Sequence, residues 1–300
     1  MNSIIPAENC DYLATKKLIE RLLSRYPFLY CESIGRSCGG REIYSLALGK
    51  CERPALIAAA FHGSEHITTN LSLLFLEQLC EALCNGEELA GIDARKAFFG
   101  KGLIVVPRAN PDGCEISING ERGAGYMASK IKRLCGGDFT HWNANLRGVD
   151  INHNFDAGWN ELHTRERAAG IFGPCATRYG GDYPESEPET QALTRLCRKE
   201  KPSHALALHT QGEVIYWSYG ERKPRHSEKI AEVFAAESGY ALDYPTGLAD
   251  GGGFKDWFIS EFTRPGFTVE IGRGQNPLPS ENLYSLYRDV EGLLMLASII

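Results

Sequence analysis

Two kinds of apolar run alternate along this chain. Residues 55–61, 102–107, 204–209 and 266–271 are short and almost unbroken in their apolar character, and glycine, proline or polar residues bound them. Runs of this kind read as strands buried on both faces of a parallel sheet. Between them lie stretches with helical spacing. Leu18, Ile19, Leu22, Leu23 and Tyr26 repeat along one face before Pro27. Residues 67–79, 227–238 and 283–299 carry the same signature, the last as a closing amphipathic helix. Residues 28–34 and 42–48 predict two paired strands joined by the glycine-rich segment 35–41. That segment does not match a phosphate-binding loop, since it has the spacing of neither common motif and opens no helix. Ser186-Glu-Pro-Glu189 predicts a capping box, with Ser186 as the cap and Glu189 reaching back. Residues 114–185 are poor in periodicity, but Tyr126, Phe139, Trp142, Phe155 and Trp159 predict an ordered loop region. With no repeat or linker, the pattern predicts one α/β domain over residues 1–300 with a largely parallel sheet.

Composition narrows the function classes. The chain has 300 residues, is 43% apolar and 23% charged, and carries a net charge of −6. That balance suits a folded globular enzyme and argues against general affinity for nucleic acid or anionic membranes. No stretch supplies the run of about 18 apolar residues that a membrane span requires. The first ten residues lack a basic segment followed by a long apolar one, so no export signal is read there. The ten cysteines show no paired metal-binding spacing. They are expected as reduced thiols in a cytoplasmic protein, with Cys80 and Cys84 buried on a helix.

Chemistry collects where the apolar runs stop. His62 and Glu65 follow the first inner strand, Asn110 the second, His209 ends the third, and Glu270 the fourth. If those strands are parallel, these groups share one rim, where ligands bind in open α/β sheets. Two imidazoles and a carboxylate form a hydrolytic zinc set, so His62, Glu65 and His209 are the expected ligands of one zinc ion per chain. Glu270 is then the expected general base. Asp150 is the candidate to orient a ligand imidazole. Each residue also has a plain structural role open to it. His62 could cap a helix, Glu65 could favour a helix dipole, His209 could be a core histidine, and Glu270 could pair with Arg273 or Lys255.

His62-Gly-Ser-Glu65, Asn110-Pro-Asp-Gly113, Gly148-Val-Asp-Ile-Asn152, Ser186-Glu-Pro-Glu189, His209-Thr and Thr268-Val-Glu270 occur in this order across most of the chain. In that set the sequence resembles the zinc carboxypeptidase family. Asn152-His-Asn-Phe-Asp-Ala-Gly-Trp159, His209-Thr-Gln-Gly-Glu213 and the stretch 266–279 look most like its γ-D-glutamyl-diamino acid peptidase branch. The resemblance implies an eight-stranded mixed sheet flanked by helices, zinc on His62, Glu65 and His209, and catalysis by Glu270. It also implies a peptide or muropeptide substrate cut at a γ-D-glutamyl–diaminopimelate bond; the charge balance, read separately, leads to the expectation of neither nucleic acid nor membrane as partner.

Three positions depart from the family pattern. His153 stands beside Asn152 where an arginine usually binds the substrate carboxylate. Asn143 stands where a cation is usual near the reacting carbonyl. Leu248 replaces a phenol. Losing one donor to the oxyanion typically costs about 3 kcal/mol of transition-state stabilisation. Arg108, at the end of a strand leading to the rim, is a candidate replacement cation, with a surface ion pair as its other open role. The alternatives to a γ-D-glutamyl peptidase are a carboxypeptidase or amino-acid deacylase of the same fold, and a weakly active zinc- or peptide-binding relative. The sequence carries no signal for oligomeric state.

Overall fold

The computed structural model describes residues 3–300; Met1 and Asn2, the start of the segment read for an export signal, lie outside the described residues. Ten strands follow in chain order: β1 (Tyr30–Arg36), β2 (Glu42–Gly49), β3 (Ala55–Ala59), β4 (Glu88–Leu89), β5 (Ile92–Asp93), β6 (Gly102–Val106), β7 (His204–His209), β8 (Val214–Tyr216), β9 (Ala241–Asp243) and β10 (Gly266–Glu270). β4 and β5 form a small separate hairpin, and the other eight form one mixed sheet in the order β1-β2-β6-β3-β7-β10-β8-β9. The central strands β6, β3, β7 and β10 all run parallel, while β1, β2 and β8 join by antiparallel pairings. The four unbroken apolar runs are thus the four inner strands, as two-sided burial requires.

Alternation along those strands divides the core. Ile57, Leu206, Leu208, Phe267 and Val269 face a large apolar layer built with the helices Tyr12–Arg25, Ile67–Asn85, Ser227–Ser238 and Leu283–Ile299. Leu56, Ala58, Ala205 and Ala207 face the other layer. There the small strand residues leave room for Phe61, Phe155, Phe254, Trp257 and Phe258, whose rings pack between about tilted and edge-on. The helices 227–238 and 283–299 have the bounds expected from periodicity. Among the ten unpaired thiols, Cys80 is buried but Cys84 is exposed.

Two local expectations are corrected. The stretch 114–185 holds more helix than its pattern shows, with Pro111–Asn119, Glu121–Ala124, Ala128–Leu134 and Trp159–Ala168 helical. All four are short, and the first three pack on one another around Trp142 and Ile131, so their apolar repeats never accumulate a clear period. The capping box does not form. The helix Pro188–Glu200 is capped by Glu187 without a side-chain cap bond. The Glu189 carboxylate is taken instead by the Cys38 amide at 3.0 Å and the Asn145 carboxamide at 3.2 Å.

Candidate active site

The rim of the inner strands gathers the residues expected there. β3 ends at Ala59, and the chain turns at His62 into a tight helical turn, Gly63–Glu65, before the helix Ile67–Asn85. Gly63 is required at that turn, because a Cβ would lie 2.3 Å from the carbonyl oxygens of Gly113 and Trp142. Asn110 locks the neighbouring exits together. Its Nδ2 donates to Phe61 O at 3.0 Å and Asn143 O at 3.1 Å, while its Oδ1 accepts from Gly113 N at 2.8 Å and caps the helix Pro111–Asn119. On the other side, His209 and Glu270 are register partners in the parallel ladder of β7 and β10.

This scaffold brings His62, Glu65 and His209 together. Nδ1 of His62 lies 2.8 Å from Glu65 Oε1, and Nδ1 of His209 lies 2.9 Å from Glu65 Oε2. One ligand atom from each falls within 4.8 Å of the others. The far nitrogen of His62 meets Asp150 Oδ1 at 3.1 Å. Asp150 is buried and accepts from Arg178 N at 2.8 Å through its second oxygen. The electrostatics follow from this packing. Burial works against imidazolium, but Glu65 and Asp150 on the two ring nitrogens raise the His62 pKa well above its ordinary value. Burial also works against the Glu65 charge, yet His62 and His209 bring it down to about 2. Asp150 is held well below the usual carboxylate range, against its burial, chiefly by His62. Two imidazoles and a carboxylate converging on one point, with an outer carboxylate fixing one ring, are a donor set that suits zinc.

Glu270 stands apart from these pairs. Its side chain takes no hydrogen-bond or ion-pair partner among the described residues. Arg273 pairs with Glu213 at 2.6 Å, and Lys255 contacts Asp256 and Ser218 O. Burial raises Glu270 to about 7, with His209 opposing the rise and Glu65 adding to it. The carboxyl faces a cavity of about 240 Å³ that His62, Asn143, Asp150, Asn152 and His153 also line. Asn143 Oδ1 accepts from Ser64 Oγ at 2.5 Å, which leaves its NH2 group without a partner among the described residues. Asn152 Oδ1 accepts from Phe254 N at 3.0 Å, and its Nδ2 is 3.5 Å from His209 Nε2. His153 presents its ring to the cavity while Nδ1 is held by Glu166 at 2.9 Å.

Arg108 is not part of this site. Its side chain is buried and runs to the far side of the rim, where Nε donates to Thr69 Oγ1 and Nη2 to Cys10 O. A strand-end arginine can turn to either side of its sheet, and here the carbonyl of Cys10 and the hydroxyl of Thr69 claim it. The cations that line the cavity are instead Arg178 and Lys255, with Tyr216 beside them. Arg178 has φ +69° in an irregular segment and gave no pattern to read. Glu166, which is fully buried and also accepts from His163 Nδ1 and Gly180 N, was equally hidden. Its helix neighbours Glu161, Arg165 and Arg167 make that stretch look like a solvated face.

The comparisons with known proteins agree with this geometry. The model of the zinc carboxypeptidase family matches residues 15–290. The chain is 35% identical to γ-D-glutamyl-L-diamino acid endopeptidase 1 of Lysinibacillus sphaericus over 291 residues, covering 96% of this chain and 72% of that protein. It is also 35% identical to YqgT of Bacillus subtilis over 288 residues, covering 95% of this chain and 76% of the other. The crystal structure of thrombin activatable fibrinolysis inhibitor superposes with a TM-score of 0.74 at 20% identity, covering 100% of this chain and 79% of that one.

Proposed function

As the chain belongs to the zinc carboxypeptidase family, we propose that it hydrolyses the γ-D-glutamyl–diamino acid amide of peptidoglycan-derived peptides. The observation that carries the reading is an unpaired carboxyl, Glu270, facing a converged His62–Glu65–His209 donor set across one cavity. The 35% identity to an endopeptidase of that bond, over nearly the whole chain, selects the substrate class. His62, Glu65 and His209 would hold one zinc ion, with Asp150 orienting the His62 ring. When bound, zinc supplies a Lewis acid that polarises the scissile carbonyl and brings the pKa of water to about 7.

The rest is done by this chain's own residues. Glu270 takes the proton of the attacking water and passes it to the leaving amine. The free NH2 of Asn143 donates to the carbonyl oxygen as negative charge grows there. Substrate carboxylates, of which a diaminopimelate peptide has several, meet Arg178 and the outward nitrogen of His153. Arg178 supplies the cationic character that position 153 lacks, since the Lys255 charge is met by Asp256. Ten unpaired thiols support a reducing compartment and hence soluble muropeptide fragments as the substrate pool.

The test pairs metal analysis of purified protein with mass spectrometry of digests. L-Ala-γ-D-Glu-diaminopimelate and its α-linked isomer serve as matched substrates. Release of free diaminopimelate from the γ-linked peptide, at a rate at least tenfold above the α-linked one, is expected. Preference for the α-linked isomer overturns the reading in favour of an ordinary carboxypeptidase.

A further inference from the structure

Glu65 is the one anionic member of the donor set, and its carboxylate is the part least fixed by its own covalent geometry. The terminal torsion of a glutamate is broad, so the hydrogen bonds around it decide where its oxygens point. Among the described residues, four groups donate to it. Two are the Nδ1 atoms of His62 and His209. The others are Thr210 N, 3.3 Å from Oε2, and Asn276 Nδ2, 3.5 Å from Oε1. An imidazole nitrogen that gives its lone pair to a metal has no proton left to donate. When His62 and His209 act as ligands through those nitrogens, support of Glu65 passes to Thr210 and Asn276, one donor for each oxygen.

Asn276 is well held for that task. Its Oδ1 accepts from Thr210 Oγ1 at 2.7 Å, and its Nδ2 donates to Thr210 O at 2.8 Å. Thr210 itself is buried and directly follows the ligand His209. The two segments are tied by Ile271 N, which donates to His209 O at 2.9 Å, and by Gly212 N, which donates to Gly272 O at 2.7 Å. The carboxamide is thus pinned at two points on Thr210, and the second hydrogen of its NH2 group is the one that serves Glu65. We propose that Asn276 is a positioning residue for the metal, holding the Glu65 carboxylate turned toward the point where the two imidazoles converge. The proposal rests on the zinc set His62, Glu65 and His209, and not on which peptide is cut. A neutral donor suits the role, because an ammonium or guanidinium there would offset the charge that Glu65 offers a cation. Asn276 does not line the catalytic cavity, so its loss should act on metal binding and leave substrate binding alone.

The test is zinc affinity measured by chelator competition, with no substrate present. Asn276→Ala should weaken binding about tenfold. It should also shift the visible absorption band of the cobalt-loaded protein, which follows ligand geometry. A purely structural role would lower the melting temperature of the metal-free protein and leave affinity and band where they were. Thr210→Val keeps the side-chain shape and removes only the hydroxyl that fixes Oδ1. It should weaken zinc binding about threefold, and it decides the matter if Asn276→Ala does not fold. Affinity within about twofold of the parent, in whichever of these variants folds, overturns the proposal and leaves the zinc set standing. A parent chain that binds no zinc overturns both.

Discussion

The two walls of the catalytic cavity are built differently. One wall is the rim of the sheet, where His209 and Glu270 are placed by strand ladders whose backbone bonds would form with many side chains, and His62 by the turn just beyond one such strand. The facing wall comes from the stretch Asn143 to Glu187, irregular apart from the helix Trp159–Ala168 and a short turn at Ile151–His153, and buried side-chain amides and carboxylates hold it. Asn154 shows how that works. Its Nδ2 is 2.7 Å from Gly180 O, 2.9 Å from Ser186 Oγ and 3.1 Å from Tyr183 O, while Oδ1 accepts from Glu187 N at 3.0 Å. Asn145 does the same work between Arg147 N, Val149 N and Glu187. The first wall is specified by pattern and the second by individual residues. Changes to the first should therefore cost chemistry, and changes to the second should cost stability or affinity.

The largest effect should come from the rim. Glu270→Gln is expected to lower kcat on the γ-linked peptide by about 10³ while the melting temperature stays within about 2 °C of the parent. A large loss of stability would erase the distinction. Opposite it, Asn154→Ala should destabilise the protein by about 3 kcal/mol in urea unfolding, because three backbone groups and a hydroxyl lose a buried partner. Residual folded protein should turn over at nearly the parent rate per molecule.

Asp150 joins the walls, since it holds both His62 and Arg178 N. Asp150→Asn should weaken metal binding about 10- to 100-fold in a chelator competition, with smaller loss of stability. His153→Ala should raise KM about tenfold and alter kcat less than threefold, as befits a group that meets substrate away from the reacting bond. The gentlest probe is pH. Burial, reinforced by Asp112, raises Glu189 to about 7 from an ordinary 4.5. A carboxyl raised on folding keeps its proton in the native state after the unfolded chain has lost it. Its contribution is therefore present below about 4.5 and is lost as pH climbs to about 7. The melting temperature should decline over that window, and Glu189→Gln should flatten the decline. Glu270 has a similar value without metal, and a bound cation draws it lower, so the acid limb of kcat/KM should fall below about 7.

The same contrast explains what could be read in the chain itself. His62, His209 and Glu270 each end an apolar run, and two-sided burial makes those runs conspicuous. Asp150 was accessible through a short motif. Arg178 and Glu166 were not, because nothing local distinguishes a buried carboxylate on a polar helix from a solvated one. Arg108 takes neither of the roles open to it, rim cation or surface ion pair, since a strand end fixes position but not side-chain direction. The Ser186–Glu189 signature failed for a related reason: its distant partners Cys38 and Asn145 outcompete the helix terminus for the Glu189 oxygens.

His209 and Glu270 stand opposite each other on adjacent strands of one ladder. Their backbones are thus held at the inter-strand spacing, about 4.8 Å, whatever happens to the loops above. For protein engineers this makes the reactive half of the enzyme a fixed chassis. Libraries that randomise the segment around Arg178 can search for cleavage of other amides while the spacing of His209 and Glu270 travels unchanged from one variant to the next.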